Sequence, residues 1–157
     1  MPPTLRLACE SDADILLPLM REYYAFDGHH FDPEKARAAL LGLLREPTFG
    51  RVWLIFDRAE IIGYVVLCFG YSLEYLGRDA FLDEFCLLAS HRRQGFGTQV
   101  LKMVEEAARN IGIRAIHLEV VRRNLAAGTF YRKAGFCDHD HHLMTKWLDG
   151  SPEKPGA

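Results

Sequence analysis

Long hydrophobic runs are missing from this chain of 157 residues. The longest, such as Ile61 to Phe69, fall far short of the ~20 apolar residues that span a bilayer, and Met1-Pro2-Pro3 does not begin a signal peptide. We therefore expect a cytoplasmic protein with no membrane partner. The length suits one domain with one core and would crowd two.

The sequence also lacks an excess of charge of either sign. Nineteen Lys and Arg residues stand against 21 Asp and Glu residues, which gives a formal charge of −2. No global positive field therefore attracts nucleic acid, and we expect no nucleic-acid partner. Any site that binds an anion must be local.

Cysteine is scarce and scattered. The four residues, Cys9, Cys68, Cys86 and Cys137, form no C-x-x-C pair. They predict buried thiols and neither a disulfide framework nor a zinc site.

What the chain has is an alternation of strand-like and helix-like periodicity, which predicts an α/β protein. The predicted order is β-α-α-β-β-β-α-β-α-β, with a βαβ unit after Ala80. It includes a loop over residues 71–78, a strand over 115–121 and a last strand over 143–147. Residues 1–148 are expected to form a single domain, and the Pro- and Gly-containing residues 149–157 a disordered tail.

One segment has the features of an anion site. Arg92-Arg93-Gln94-Gly95-Phe96-Gly97-Thr98 lies between a predicted strand and an amphipathic helix, whose first amides lack intrahelical partners. Glycines let a phosphate approach the backbone, and the arginines add local positive charge. The alternative is a tight turn with two solvated arginines.

Two common phosphate motifs fit this segment poorly. A Walker loop needs Gly-Lys-Ser/Thr, which the chain does not contain. The dinucleotide fingerprint finds Gly95 and Gly97 but then Val100. Glu119, about twenty residues on, stands where a ribose-binding acid belongs, so a nicotinamide-binding protein stays an alternative.

Two motifs together carry a family resemblance. Arg92-x-x-Gly95-x-Gly97, followed by Asn124-x-x-Ala127-x-x-Phe130-Tyr131-x-Lys133-x-Gly135-Phe136, resembles the GCN5-related N-acetyltransferase (GNAT) family. Gly77-Arg78-x-x-Phe81-Leu82-Asp83-Glu84-Phe85 is similar to diamine acetyltransferases of the spermidine/spermine type. The resemblance covers about residues 4–148 and departs at Ala89, where many relatives carry proline.

The resemblance implies a mixed, mostly antiparallel sheet flanked by helices and splayed between its fourth and fifth strands. Acetyl-CoA would lie in the gap, and the protein would be a homodimer. It implies transfer of acetyl to a primary amine of a small cationic acceptor, a polyamine or an amino-acid-like amine, by direct attack in a ternary complex. The alternatives are a peptide N-acetyltransferase and a catalytically silent CoA-binding module.

The resemblance also implies three sets of residues that bind acetyl-CoA. The backbone of Phe85, Cys86 and Leu87 would pair with the pantetheine arm. The segment from Arg93 through Thr98 would hold the pyrophosphate, with Arg92 also among the cofactor-binding residues. Asn124 and Ala127 would line the other side of the cofactor, with Asn124 bonding the pantetheine. Cys86 as a covalent acetyl carrier is disfavoured, because no histidine is near it in sequence and burial raises a thiol pKa.

Acetyl transfer requires a neutral attacking amine, whereas an ordinary alkylamine has a pKa near 10.4. Asp83 and Glu84 are the candidate bases, and because they are adjacent on a strand we expect them on opposite sheet faces. We favour Asp83, which matches the family's acidic acceptor residue and could instead anchor the ammonium group. A water relay, or two merely solvated carboxylates, are the alternatives.

The remaining candidates contact the leaving group or the acceptor. Tyr131 matches the family's general acid, and a phenol with a pKa near 10 can protonate the departing thiolate; its alternative is a core aromatic residue. Phe26 and Asp27 match acceptor-contacting positions. The cluster Asp138-His139-Asp140-His141-His142 is interpreted as a solvated loop and not a metal site.

Overall fold

The computed structural model describes residues 1–151. The chain divides into two compact units, Met1–Leu118 and Glu119–Ala157. Residues 152–157, part of the predicted tail, lie outside the described residues. No helix within residues 1–151 has the length and apolar character needed to cross a membrane.

The first unit contains five strands and three helices. In chain order they are β1 Thr4–Leu7, α1 Ala13–Asp27, α2 Pro33–Arg45, β2 Gly50–Asp57, β3 Glu60–Ser72, β4 Gly77–Leu87, α3 Phe96–Asn110 and β5 Ala115–His117.

Local sequence sets the helix boundaries. α1 ends where Gly28 adopts a left-handed conformation with φ of 73°, which glycine allows at little cost. Asp32 caps the start of α2, and its side chain accepts from the amides of Glu34 at 3.1 Å and Lys35 at 3.2 Å. Pro33 occupies the first helical position, where its missing N–H is not needed.

The strands form one sheet in the order β1-β2-β3-β4-β5. The first three pairings are antiparallel, and β4 pairs with β5 in parallel. The predicted mixed, mostly antiparallel sheet is confirmed. A doubly wound dinucleotide-binding sheet is parallel, so this topology does not suit the nicotinamide alternative.

The predicted loop over residues 71–78 is wrong at both ends. Tyr71 pairs with Arg78 and Ser72 with Gly77, so β3 and β4 form a longer hairpin. Long-range ladder pairing extends the strands through residues that were interpreted as a loop.

The fifth strand is shorter than the predicted residues 115–121. β5 pairs with β4 over Asp79–Phe81 only, and ends at His117. β4 itself continues to Leu87. The parallel ladder therefore stops while β4 runs on, as a sheet splayed between its fourth and fifth strands requires.

The face of the sheet that packs on α1 forms a hydrophobic core. Leu16 and Met20 of α1 pack with Leu54 of β2 and with Tyr64 and Val66 of β3. Alternate residues of the central strands face this helix, because side chains alternate across a sheet.

The thiols divide between core and surface. Cys86 is buried and Cys68 is half-buried, whereas Cys9 and Cys137 are exposed. The prediction of buried thiols is therefore wrong for Cys9, beside the turn that precedes α1, and for Cys137, just beyond the last helix.

The second unit contains one helix, α4 Leu125–Lys133, within its described part. The predicted last strand over residues 143–147 is wrong, because these residues form no ladder in the part of the chain that the structure describes. Leu143, Met144 and Trp147 of this segment are exposed. An alternating pattern does not make a strand unless a partner strand pairs with it.

Candidate active site

The turn before α3 has the backbone of an anion site. Gly95 precedes the helix in a left-handed conformation with φ of 85°, and Arg93 is also left-handed with φ of 59°. The helix begins at Phe96, so its first amides have no intrahelical acceptor. A Cβ on Gly95 would meet the Gln99 side chain at 3.9 Å, an ordinary contact, so the conformation and not crowding requires glycine. A turn of this kind, at the start of a helix, can bind a phosphate group.

Arg92 has a different environment from the one expected for a phosphate ligand. Its Nε donates to the carbonyl of Leu87 at 2.7 Å, and its guanidinium lies over the ring of Phe26, 4.7 Å from the ring centre. The guanidinium also acts to lower the pKa of the Cys86 thiol, against the larger effect of burial. Arg92 therefore connects the end of β4 to the last turn of α1.

The backbone expected to pair with pantetheine lies beyond the β5 ladder. Phe85, Cys86 and Leu87 follow Phe81, the last β4 residue that pairs with β5. The side chain of Cys86 is buried, and burial raises the pKa of its thiol to about 11. A protonated, buried thiol is a poor nucleophile.

A β-bulge changes the orientation of the two adjacent acids. Val66 pairs with Glu84 and Leu67 pairs with Leu82, so Asp83 is an extra residue in β4. Glu84 accepts from Tyr64, and the Asp83 carboxyl and the Cys68 thiol are close enough to shift each other's pKa. Tyr64 and Cys68 are two residues on the same face of β3. The expectation that Asp83 and Glu84 point to opposite faces is therefore wrong, because the bulge interrupts the alternation and turns both carboxylates toward α1.

Glu84 is buried, with 8% of its surface exposed. The hydroxyl of Tyr24 donates to its Oε1, and the hydroxyl of Tyr64 donates to its Oε2 at 2.8 Å. Burial raises the pKa of Glu84, the two hydroxyl donors oppose that rise, and the charges of Asp83 and Asp27 add to it. Burial and the Glu84 charge raise the pKa of both tyrosines, which keeps them as donors.

Asp83 is exposed to solvent, but neighbouring protein atoms partly desolvate its carboxyl group. Desolvation raises its pKa, and the hydrogen bond from the Cys68 thiol partly offsets this. In return, burial and the negative charges of Asp83 and Glu84 raise the pKa of Cys68 to about 11.

The last turn of α1 adds a third acid. The charge of Asp27 raises the pKa of Glu84. The neighbouring Phe26 is largely exposed, and the guanidinium of Arg92 lies over one face of its ring. Among residues 1–151, no lysine, arginine or histidine forms an ion pair with Asp27, Asp83 or Glu84. We call these three residues the acidic face.

The second unit holds the other candidates. The side chain of Asn124 caps α4 and accepts from the amide of Ala127 at 3.1 Å. Tyr131 is half-buried and packs edge-on against Phe130 and Phe136, with ring centres 5.0 and 5.7 Å away. The Ala127 amide thus serves the helix cap, and Tyr131 lies in an aromatic cluster within this unit.

The histidine-rich segment is exposed to solvent. Residues 138–142 are exposed, and His139 and His141 contact each other edge-on. Across the described residues, no three His, Cys, Asp or Glu side chains are grouped so that they could hold a metal ion.

Sequence reasoning missed Tyr24, Tyr64 and Cys68. Tyr24 continues the spacing of the core residues Leu16 and Met20, which predicts that it faces the sheet. Its partner Glu84 is 60 residues away in the chain. No local pattern identifies such a contact.

Comparison with known proteins gives a family match over most of the chain. The model of the Acetyltransferase (GNAT) family matches residues 15–136. The mouse thialysine N-epsilon-acetyltransferase is 33% identical over 143 residues, which cover 85% of this chain and 84% of that protein. The uncharacterized N-acetyltransferase YobR of Bacillus subtilis is 29% identical over 128 residues, which cover 80% of this chain and 48% of that protein. The chain thus spans about half the length of YobR.

Solved structures share the fold. An integron cassette protein from the Cole Harbour salt marsh metagenome superposes with a TM-score of 0.81 at 33% identity, over 92% of this chain and 90% of that one. A predicted acetyltransferase from Clostridium acetobutylicum, solved with acetyl-CoA, superposes with a TM-score of 0.78 at 18% identity, over 94% of this chain and 97% of that one.

Proposed function

The chain belongs to the acetyltransferase (GNAT) family and is an acetyl-CoA-dependent N-acetyltransferase, and we propose that its acceptor is a primary amine of a small cationic molecule, a polyamine or an amino-acid-like amine. The observation that carries this proposal is the acidic face. It brings together three carboxylates, Asp27, Asp83 and Glu84, without an ion-pair partner in the described chain.

A cationic acceptor supplies the charge that this face lacks. An alkylamine with a pKa near 10.4 arrives as an ammonium ion, and a nearby carboxylate stabilises that charge. A relative named for thialysine as its acceptor supports a small amine substrate.

We assign Asp83 as the carboxylate that takes the proton from the amine. It is exposed, whereas both oxygens of Glu84 already accept hydrogen bonds. The raised pKa of Asp83 makes it a better base than an ordinary aspartate.

Atoms and charges balance in a single displacement. The Asp83 carboxylate takes a proton from the ammonium group, the freed nitrogen bonds to the acetyl carbon, and the carbon–sulfur bond breaks. The phenol of Tyr131 protonates the departing sulfur, the role that the family resemblance implies. The nitrogen releases a second proton as it becomes a neutral amide, and that proton passes through solvent to the Tyr131 phenolate. The buried, protonated thiol of Cys86 supports direct attack without a covalent carrier.

The chain offers distinct groups for holding acetyl-CoA, which supplies an activated acetyl thioester when bound. We assign the pyrophosphate to the turn from Arg93 through Thr98, the pantetheine to the backbone of Phe85–Leu87, and a further contact to Asn124. The left-handed turn at Gly95 and the early end of the β5 ladder support these assignments. Arg92 donates a hydrogen bond to the carbonyl of Leu87 and so helps to hold this end of β4 in place.

The narrower assignments rest on the resemblance. The segment from Gly77 to Phe85 supports the diamine type, with Phe26 and Asp27 as acceptor contacts. We further propose a cytoplasmic homodimer in which residues 1–148 act as one N-acetyltransferase domain.

Replacement of Asp83 by asparagine tests the role of the acidic face. The proposal expects kcat/KM for a diamine to fall by about a hundredfold or more in Asp83→Asn, because both a base and a charge are lost. Asp57→Asn, in the β2–β3 hairpin, is the matched control and should retain activity. Full activity of Asp83→Asn in a thiol-release assay with acetyl-CoA would contradict the proposal.

A further inference from the structure

Tyr24 makes a contact that neither the motifs nor the family resemblance predicts. Its hydroxyl donates to Oε1 of Glu84, and Tyr64 donates to Oε2. Both oxygens of a carboxylate with 8% exposure thus accept from a neutral hydroxyl. The negative charge of Glu84 is stabilised here by dipoles instead of by a cation.

The surroundings of Glu84 otherwise disfavour its charge. Burial has the largest effect on its pKa, and Asp83 of β4 and Asp27 of α1 add repulsion. The titratable groups that face it are Tyr24 and Asp27 from α1, Tyr64 and Cys68 from β3, and Asp83 and Cys86 from its own strand. The charge of Arg92 acts to lower the pKa of Cys86, and His29 packs edge-on against Tyr24.

Asp83 and Glu84 titrate as a coupled pair. The bulge places both on one face, so each charge disfavours the other. Asp83 is exposed and Glu84 is buried, so Asp83 loses its proton first and Glu84 second. The two phenols act on this second ionisation, because hydrogen bonds to a charged group favour the charged form.

Contacts with the segment after α1 also hold Tyr24 in place. Its ring packs against Phe31, with centres 5.6 Å apart, and its backbone carbonyl accepts from the amide of His29 at 2.8 Å. The segment between α1 and α2 thus packs against the residue that bonds Glu84.

Resting on the proposed transfer to a cationic amine, we propose that Tyr24 is a positioning residue that, with Tyr64, keeps Glu84 ionised so that the acidic face presents the charges of both Asp83 and Glu84 to the acceptor. The acceptor ammonium then meets two adjacent negative charges, of which Asp83 takes the proton.

Two substitutions should shift the pH dependence in opposite directions. Tyr24→Phe removes one donor, so the second ionisation should move to higher pH by about one unit. Glu84→Gln removes the second ionisation altogether, so the kcat/KM profile should follow the earlier ionisation of Asp83 alone and its midpoint should move to lower pH. Tyr64→Phe should act like Tyr24→Phe, and Tyr71→Phe, on the exposed hairpin, is the unshifted control.

Two readouts measure these shifts. Carbon-13 NMR of labelled carboxyl groups, with resonances identified through Asp83→Asn and Glu84→Gln, follows each carboxylate directly. The pH profile of kcat/KM for a diamine follows the pair in the active enzyme. The acceptor's own ionisation is the same for all variants, so a difference between variants belongs to the protein. Lost packing alone would lower the rate without moving the profile.

The outcomes separate this inference from the proposed function. Support comes from an alkaline shift of the Glu84 titration and of the kcat/KM midpoint in Tyr24→Phe, together with an acid shift of the kcat/KM midpoint in Glu84→Gln. An active enzyme whose Tyr24→Phe variant keeps the Glu84 titration and the kcat/KM midpoint overturns the role of Tyr24 alone. If the wild-type protein turns over no amine, the acceptor assignment fails and this role fails with it. If Tyr24→Phe does not fold, Tyr64→Phe and the order of ionisation in the wild-type protein decide, and Glu84 ionising before Asp83 overturns the inference.

Discussion

Gly95 and Gly112 lie just outside opposite ends of α3 and share one left-handed backbone conformation, with φ of 85° and 82°. A Cβ would meet no close neighbour at either position: the nearest atom to Gly95 is 3.9 Å away, and Gly112 has none within 4 Å. Alanine therefore introduces the same backbone strain at both ends of the helix, of about 1 kcal/mol. Only the Gly95 end is assigned to acetyl-CoA.

Gly95→Ala should weaken acetyl-CoA binding by about tenfold, because relief of the strain turns the first amides of α3 away from the diphosphate. Gly112→Ala should lose similar stability and keep its affinity. Calorimetric titration with acetyl-CoA and urea unfolding of both variants check this. Equal affinities of the two variants for acetyl-CoA would show that the diphosphate does not bind at this turn.

Much of the fold follows from local sequence. The glycine and proline signals at Gly28 and Pro33 give helix ends, and alternation gives the central strands. The shorter fifth strand and the missing strand over residues 143–147 depend on which segments find ladder partners. Such pairing is long-range and leaves no local signal.

The site shows the same division. The turn at Gly95 is a local motif, and the sequence predicts it. The shared face of Asp83 and Glu84 depends on one extra residue in β4 opposite Val66 and Leu67, which alternation alone cannot predict. The Tyr24–Glu84 contact depends on how α1 packs on the sheet.

Tyr131→Phe should lower kcat by about a hundredfold, because the leaving thiolate loses its proton donor while the aromatic packing against Phe130 and Phe136 remains. The KM for acetyl-CoA should change little. Steady-state kinetics measure this, with Tyr71→Phe as the control that keeps kcat. An unchanged kcat in Tyr131→Phe would assign that proton to another donor.

Asn124 has two separable roles. Its side-chain oxygen caps α4 through the amide of Ala127, so Asn124→Ala should cost about 1 kcal/mol of stability. Asn124→Asp keeps a capping oxygen but loses the amide donor proposed for the cofactor. The aspartate variant should therefore be as stable as wild type and show a raised KM for acetyl-CoA. A normal KM for acetyl-CoA in Asn124→Asp would show that Asn124 caps α4 and does not contact the cofactor.

Asp12 should account for part of the stability that the fold loses at acid pH. Arg6 donates to it at 2.7 and 3.1 Å and the amide of Cys9 at 2.8 Å, and its pKa falls to about 2. An aspartate with a lowered pKa stabilises the fold above its unfolded value of about 3.9, and this contribution is lost as pH falls toward 2.

Urea unfolding at pH 5, 4, 3 and 2 measures that contribution. The difference in free energy of unfolding between wild type and Asp12→Asn should shrink by about 2 kcal/mol over this range. Other carboxylates titrate alike in both proteins, so the difference isolates Asp12. A difference that stays constant with pH would contradict the assigned pKa.

The most direct measurement of the central claim is release of CoA thiol from acetyl-CoA with matched acceptors. These are a short diamine, a monoamine of the same length, and a peptide with one lysine. If the acidic face receives a cationic small molecule, kcat/KM should be highest for the diamine, and Asp83→Asn should remove most of that preference. Turnover of the peptide alone, or of no amine at all, would contradict the account.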